Sequence, residues 1–152
     1  MSDARKAVEV AVAVVFDGAR QRVLICKRKA DAVLGGFWEL PGGKCAGGET
    51  LVECARREVR EEVGIEVEAV SRLGSIEHAY PHALVRLTPF VCRHVAGAVA
   101  LLAVAEARWV LPGEVAAYRF PPANEGLMRD VAQGWRHLLA MSRGDDRKAG
   151  GT

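Results

Sequence analysis

Three glutamates, Glu58, Glu61 and Glu62, crowd one short stretch, "LVECARREVREEVGI", from Leu51 to Ile65. Residues three and four apart are neighbours on a helix surface. At about 100° per residue, Leu51, Ala55, Val59, Val52 and Val63 form one apolar stripe from about 0° to 120°. Glu62 and Glu58 fall at about 20° and −20°, inside or beside that stripe, and Glu61 follows at about −80°. Glu53, Arg56, Arg57 and Arg60 lie opposite, at ordinary solvent positions. One reading is a surface helix laced with Glu–Arg pairs, among them Glu53 with Arg57. That reading leaves three like charges as neighbours, at a few tenths of a kcal/mol per exposed pair and more if partly buried. A divalent cation removes the conflict, because magnesium takes carboxylate oxygens, keeps several waters and accepts substrate phosphate. The crowding of like charge favours this second reading.

The elements that must position these acids are legible around them. Thr50-x-x-Glu53 is a capping-box signature at the helix start, and Gly64 is placed to end the helix. Glu9 to Phe16 and Arg22 to Lys29 read as strands joined through Asp17-Gly18, hence a hairpin. Phe37 to Leu40 reads as a short strand cut off by Pro41, and 42–48 as a loop. Ile65 to Val70, Arg72 to His78, Leu84 to His94 and Ala107 to Leu111 are further strands, with Pro81 and Pro89 marking a bend and an edge. Ala96 to Ala105 reads as a loop entering a strand. Pro112 to Val115 turns into a short helical piece, and Ala123 to Met141 reads as a second long helix. Interleaved strands and helices imply an α/β or α+β sandwich. The expected organisation is an N-terminal tail over 1–7, one domain over 8–141, and a polar, frayed tail over 142–152.

Composition narrows the function. The chain has 152 residues, half of them apolar, and a net charge of only +2. That suits one domain with a real core and supplies no global field for nucleic acid or anionic membrane. No stretch is long and apolar enough to span a bilayer, and the N-terminus lacks a signal core. Cys26, Cys45, Cys54 and Cys92 include no C-x-x-C pair, so zinc or thioredoxin-type chemistry is not expected. Reduced thiols in the cytoplasm are.

The same residues are similar to a family motif. Gly43, Glu49, Arg57, Glu58, Val59, Glu61, Glu62, Gly64 and Ile65 match the Nudix box, G-x5-E-x7-R-E-U-x-E-E-x-G-U, with every spacing intact. "FWELPGGK" (37–44), "FPPANE" (120–125) and "KRKADA" (27–32) resemble stretches of the MutT branch. The resemblance implies the Nudix α/β/α sandwich, a mixed central sheet with two main helices. It also implies a Mg²⁺- or Mn²⁺-dependent hydrolase. MutT-like enzymes cut a nucleoside triphosphate, favouring oxidised purines such as 8-oxo-dGTP, to the monophosphate and pyrophosphate. The expected partner is therefore a nucleoside triphosphate, not a polymer or membrane, with the chain a monomer or homodimer.

Carried over position by position, the resemblance makes Glu58 and Glu62 metal ligands. Glu61 is a ligand or a holder of water, and the Gly42 carbonyl is the matching backbone ligand. Arg57 orients the carboxylates. Glu49 either braces the loop or is a plain acid favoured by the helix dipole. Arg28 either contacts nucleotide or is a solvated strand-end arginine, and Lys44 either meets phosphate or is merely exposed. Asn124 either reads a purine edge, since one amide offers both donor and acceptor, or caps the last helix. Glu39, Leu40 and Pro41 are expected on the floor of the base pocket.

Departures from MutT are His82 and Ala83 after Pro81, where an Asp and an Arg stand there. Ala103 stands where MutT has a further metal-binding glutamate, six residues before Trp109; Glu106 would face the other way on a strand. The alternatives are a Nudix hydrolase of another nucleoside diphosphate derivative (CTP, a dinucleoside polyphosphate or a nucleotide sugar) and a catalytically silent Nudix-fold module.

Overall fold

The structure, a computed structural model, describes residues 4–150, with side chains described through Ser142. Part of each expected tail, residues 1–3 and 151–152, lies outside the described residues. The elements in order are β1 (Val8–Phe16), β2 (Val23–Lys27), β3 (Trp38–Glu39), β4 (Gly42–Lys44), α1 (Leu51–Val63), β5 (Glu66–Arg72), β6 (Ile76–Ala79), β7 (Leu84–Ala96), β8 (Glu106–Val110), α2 (Glu125–Val131) and α3 (Trp135–Gly150). Two short 3-10 segments, Pro112–Ala117 and Pro122–Asn124, lead into α2.

The strands form one mixed sheet around β1. β1 runs parallel to β7 from Val8↔Val85 to Phe16↔Arg93. Its other edge pairs antiparallel with β4 at Val10–Val12 and with β2 at Phe16. Alternation along β1 splits the core in two. Val12, Val14 and Phe16 face Leu127, Met128, Val131 and Leu138 of α2 and α3. Ala11, Ala13 and Val15 face Cys54, Ala55, Val59 and Val63 of α1. The small Ala11 and Ala13 let α1 approach closely, and each fully buried valine contributes roughly 1.5–3 kcal/mol of transfer free energy. Helices on both faces of a mixed sheet make the expected α/β/α sandwich.

Several expectations are corrected. Gly42–Lys44, expected as loop, is a short strand because its backbone pairs with β1. The strand expected over 72–78 is divided at 73–75: β5 pairs β7 as far as Arg72↔Phe90 and β6 takes over at Ile76↔Leu87. Pro89 therefore lies in an inner strand, at the joint between two partners, where a residue with no N–H is tolerated and its carbonyl accepts Leu73 N–H at 2.9 Å. The single helix expected over 123–141 breaks after Val131, at Gly134, whose φ of 95° is left-handed. Ser142, where the tail was expected to begin, lies within the last helix. That side chain is buried and donates to Arg72 O at 2.8 Å, and the helical backbone continues to Gly150.

Candidate active site

Helix α1 is fixed at both ends by the residues that signalled it. Thr50 Oγ1 accepts from Glu53 N at 3.2 Å, while Glu53 Oε1 accepts from Thr50 N at 2.8 Å. Gly64 ends the helix at φ 71°, its N–H on Arg60 O. This use of Glu53 overturns the expected Glu53–Arg57 pair. Arg57 instead reaches back: its Nε and Nη2 donate to the two Glu49 oxygens at 3.0 and 2.8 Å. Its Nη1 donates to Glu58 Oε1 and Glu61 Oε2, both at 3.0 Å, and its Nη2 to Lys44 O at 3.1 Å. Glu49 also accepts Ala46 N–H at 2.7 Å. Arg57 and then this amide hold its carboxyl down at about 2. Glu49 is thus the brace of the loop before α1, not a bare N-terminal acid.

Glu62 is the acid that Arg57 does not reach. Burial, then a hydrogen bond to Glu58, then the charges of Glu39 and Glu58 push its carboxyl up to about 9, against the Gly42 N–H. Its Oε1 is buried and has no hydrogen-bond partner. A buried acceptor without a partner costs about 1–3 kcal/mol, more for a charged group. Glu58 lies beside it with a side chain only 16% exposed, and Glu61 stands at the rim, 58% exposed. A hard divalent cation fits this donor set: it needs carboxylate oxygens, supplies the missing partner of Glu62 and offsets the mutual repulsion.

The acids open into a cleft of about 530 Å³ that also takes in Arg28, Glu39, Gly42, Gly43, Lys44 and Ala103. A second hollow of about 170 Å³ shares Val10, Arg28, Glu39, Gly42 and Gly43 with it and ends at Val12, Leu40, Leu87, Asn124 and Leu127. The two hollows adjoin along these shared residues, carboxylate at one end and apolar with an amide at the other. Arg28 is no free strand-end arginine: its Nη1 meets Glu39 Oε2 and its Nε donates to Val33 O, both at 2.6 Å. Burial pushes the Glu39 carboxyl up, opposed by Arg28. Asn124 sits at the N-cap position of α2, yet its side chain makes no capping bond. Lys44 is exposed at the rim. Pro41 does not line either hollow, a correction: it is buried beneath, its carbonyl accepting Ala13 N–H at 2.8 Å.

Other contributions were not apparent from the sequence. A Cβ on Gly43 would lie 2.6 Å from Glu58 Cδ, so this glycine makes the space that Glu58 occupies. The segment before β8 folds onto the end of α1, with Ala103 N–H on Glu62 O at 3.1 Å, and this puts Ala103 in the cleft wall. Glu106 points to Lys27 and Arg108, each at 3.6 Å, and supplies no carboxylate there.

Comparison with known proteins agrees with this geometry. The NUDIX domain family matches residues 11–130. An 8-oxo-dGTP diphosphatase of Escherichia coli (strain K12) is 30% identical over 120 residues, 79% of this chain and 92% of that protein. One of Proteus vulgaris is 34% identical over 87 residues, 57% of this chain and 77% of that protein. The MutT protein crystal structure from Methanosarcina mazei Go1 superposes with a TM-score of 0.74 at 23% identity, covering 87% of this chain and 97% of that one. The chain belongs to the NUDIX domain family and is MutT-like. It is a Nudix pyrophosphohydrolase, of a family that generally uses a divalent metal. No helix among the described residues is long and apolar enough to cross a membrane.

Proposed function

We propose that this chain hydrolyses a nucleoside triphosphate to the monophosphate and pyrophosphate with Mg²⁺ or Mn²⁺. Its proposed substrate is an oxidised purine nucleotide of the 8-oxo-dGTP kind, removed from the cytoplasmic pool before a polymerase uses it. The observation that supports this is the adjoining pair of hollows with its two unlike ends. A nucleotide has the same polarity of chemistry, a flat base at one end and a polyanion that needs a cation at the other.

Glu58, Glu62 and the Gly42 carbonyl would hold the metal, with Glu61 at the open side. When bound, the ion neutralises charge developing on phosphate oxygens and lowers the pKa of water. Arg57 does not touch substrate; it aims Glu58 and Glu61 and ties them to Glu49. Arg28 and Lys44 bring positive charge to the polyphosphate path, Arg28 held in place by Glu39. At the far end Val12, Leu40, Leu87 and Leu127 exclude water from the base. The uncommitted Asn124 amide offers one donor and one acceptor to its edge.

Ala103 favours a second reading. With no carboxylate at this wall, the site suits another nucleoside diphosphate derivative, such as CTP or a dinucleoside polyphosphate. Initial rates with 8-oxo-dGTP, dGTP, CTP and a dinucleoside polyphosphate separate the two. The first reading expects kcat/KM for 8-oxo-dGTP to exceed that for dGTP by at least tenfold. Equal values, or a preference for one of the others, would select the second.

A further inference from the structure

The fold assembles a second donor cluster in which Cys45 and Cys54 have no part in hydrolysis and Glu49 is the acid that braces Arg57. Cys45, just after β4, Glu49, before the helix cap, and Cys54, in the first turns of α1, place one donor atom each within 4.8 Å of one another. Their spacing resembles no short metal-binding pattern, and the chain folds them together. Cys45 N–H is pinned to Glu9 O at 3.0 Å, and Glu49 is fixed by Ala46 N–H and Arg57. Cys54 is fully buried with its thiol directed to Gly43 O at 3.5 Å. Cys45 and Glu49 are only half-buried, so the cluster is open on one side.

The geometry points to a site for a soft divalent cation of the zinc class, bound by Cys45 Sγ, Glu49 and Cys54 Sγ. In a tetrahedral thiolate site with metal–sulfur bonds of about 2.3 Å, ligand atoms lie roughly 3.8 Å apart. The three donors reach that spacing by small side-chain adjustments, and the open side leaves the fourth position to water. A divalent ion offsets two of the three negative charges of two thiolates and Glu49, and Arg57, shared with Glu58 and Glu61, lies against Glu49. Binding expels the two thiol protons to solvent. Sulfur separates this site from the three glutamates, because magnesium prefers oxygen and thiolate selects softer ions.

Cadmium titrated into the reduced full-length protein, with magnesium in excess, tests the site through the thiolate-to-cadmium ultraviolet charge-transfer band. One equivalent is expected to saturate the band in the wild type and in Glu62→Gln. Cys45→Ser, whose magnesium-dependent hydrolysis is expected to stay at the wild-type level, should lose at least tenfold in cadmium affinity. Cys54→Ala provides an independent check should Cys45→Ser unfold, and should show the same loss. No band in the wild type, or a band unchanged by both cysteine substitutions, would overturn the assignment.

Discussion

Arg57 grips Glu49 across eight residues with two hydrogen bonds, Nε to Oε2 at 3.0 Å and Nη2 to Oε1 at 2.8 Å, while its remaining Nη1 serves Glu58 and Glu61. One planar guanidinium thereby ties the loop before α1 to two acids of the site. Lysine keeps the charge but cannot fork. Arg57→Lys is expected to lower kcat by about 10- to 100-fold and to weaken folding by about 1–3 kcal/mol. Steady-state rates and urea unfolding measure both. Unchanged kcat would reduce Arg57 to a surface ion pair.

The adjacent glycines should fail differently. A Cβ on Gly43 meets the movable end of Glu58, at 2.6 to 2.8 Å, whereas one on Gly42 meets backbone, Ala11 O and Val12 Cα, the latter at 2.6 Å. Gly43→Ala is expected to fold with little loss of stability and to lose at least about tenfold in kcat, because Glu58 must leave its place. Gly42→Ala is expected to lose several kcal/mol of stability, since β4 must part from β1. Thermal unfolding and rates on both variants decide it. A Gly43→Ala enzyme at full rate would show that Glu58 is not needed where it lies.

Glu62 sets a pH dependence in the metal-free protein. Its carboxyl is raised to about 9 by burial, by Glu58 and by Glu39, with Gly42 N–H opposing, and the Cys26 thiol lies near it. Between its ordinary value of 4.5 and about 9 the native state keeps a proton that the unfolded chain gives up. Stability therefore falls as pH rises through that window, by at most about 1.4 kcal/mol per pH unit. In Glu62→Gln this slope should vanish, and that variant should exceed the wild type in stability at the alkaline end. Urea titrations in chelator at several pH values test this; parallel curves for the two proteins would contradict it.

Asn124 is the proposed reader of the base. If its amide reads the base, Asn124→Ala should lower kcat/KM for 8-oxo-dGTP by about 10- to 100-fold, since the lost base partner costs roughly 1–3 kcal/mol. Plain nucleotides should lose less than about threefold. An equal loss on every substrate would make the residue structural.

The sequence displayed α1 almost completely, because its cap, its stripe and its misplaced acids are all local. Thr50, Glu53 and Gly64 act as their spacing predicted, and Glu58 and Glu62 lie at the core-facing edge where the helical wheel placed them. What the sequence hid depends on partners distant in the chain. Arg57 chooses Glu49 over Glu53 because the capping box occupies Glu53. Gly42–Lys44 becomes a strand only when β1 lies beside it. Pro41 looks like pocket floor in one dimension and lies beneath it in three. The break at Gly134 was legible in principle, as a glycine inside a helical stretch.

A divalent cation is proposed to sit among Glu58, Glu61 and Glu62. Crystals grown with Mn²⁺ and a non-hydrolysable nucleoside triphosphate, measured at the manganese absorption edge, test it most directly. An anomalous peak is expected within coordination distance of Glu58 and Glu62, about 2 Å, beside the phosphates. A peak elsewhere only, or bound nucleotide with Glu58 and Glu61 still turned to Arg57 and no ion among the three acids, would contradict it.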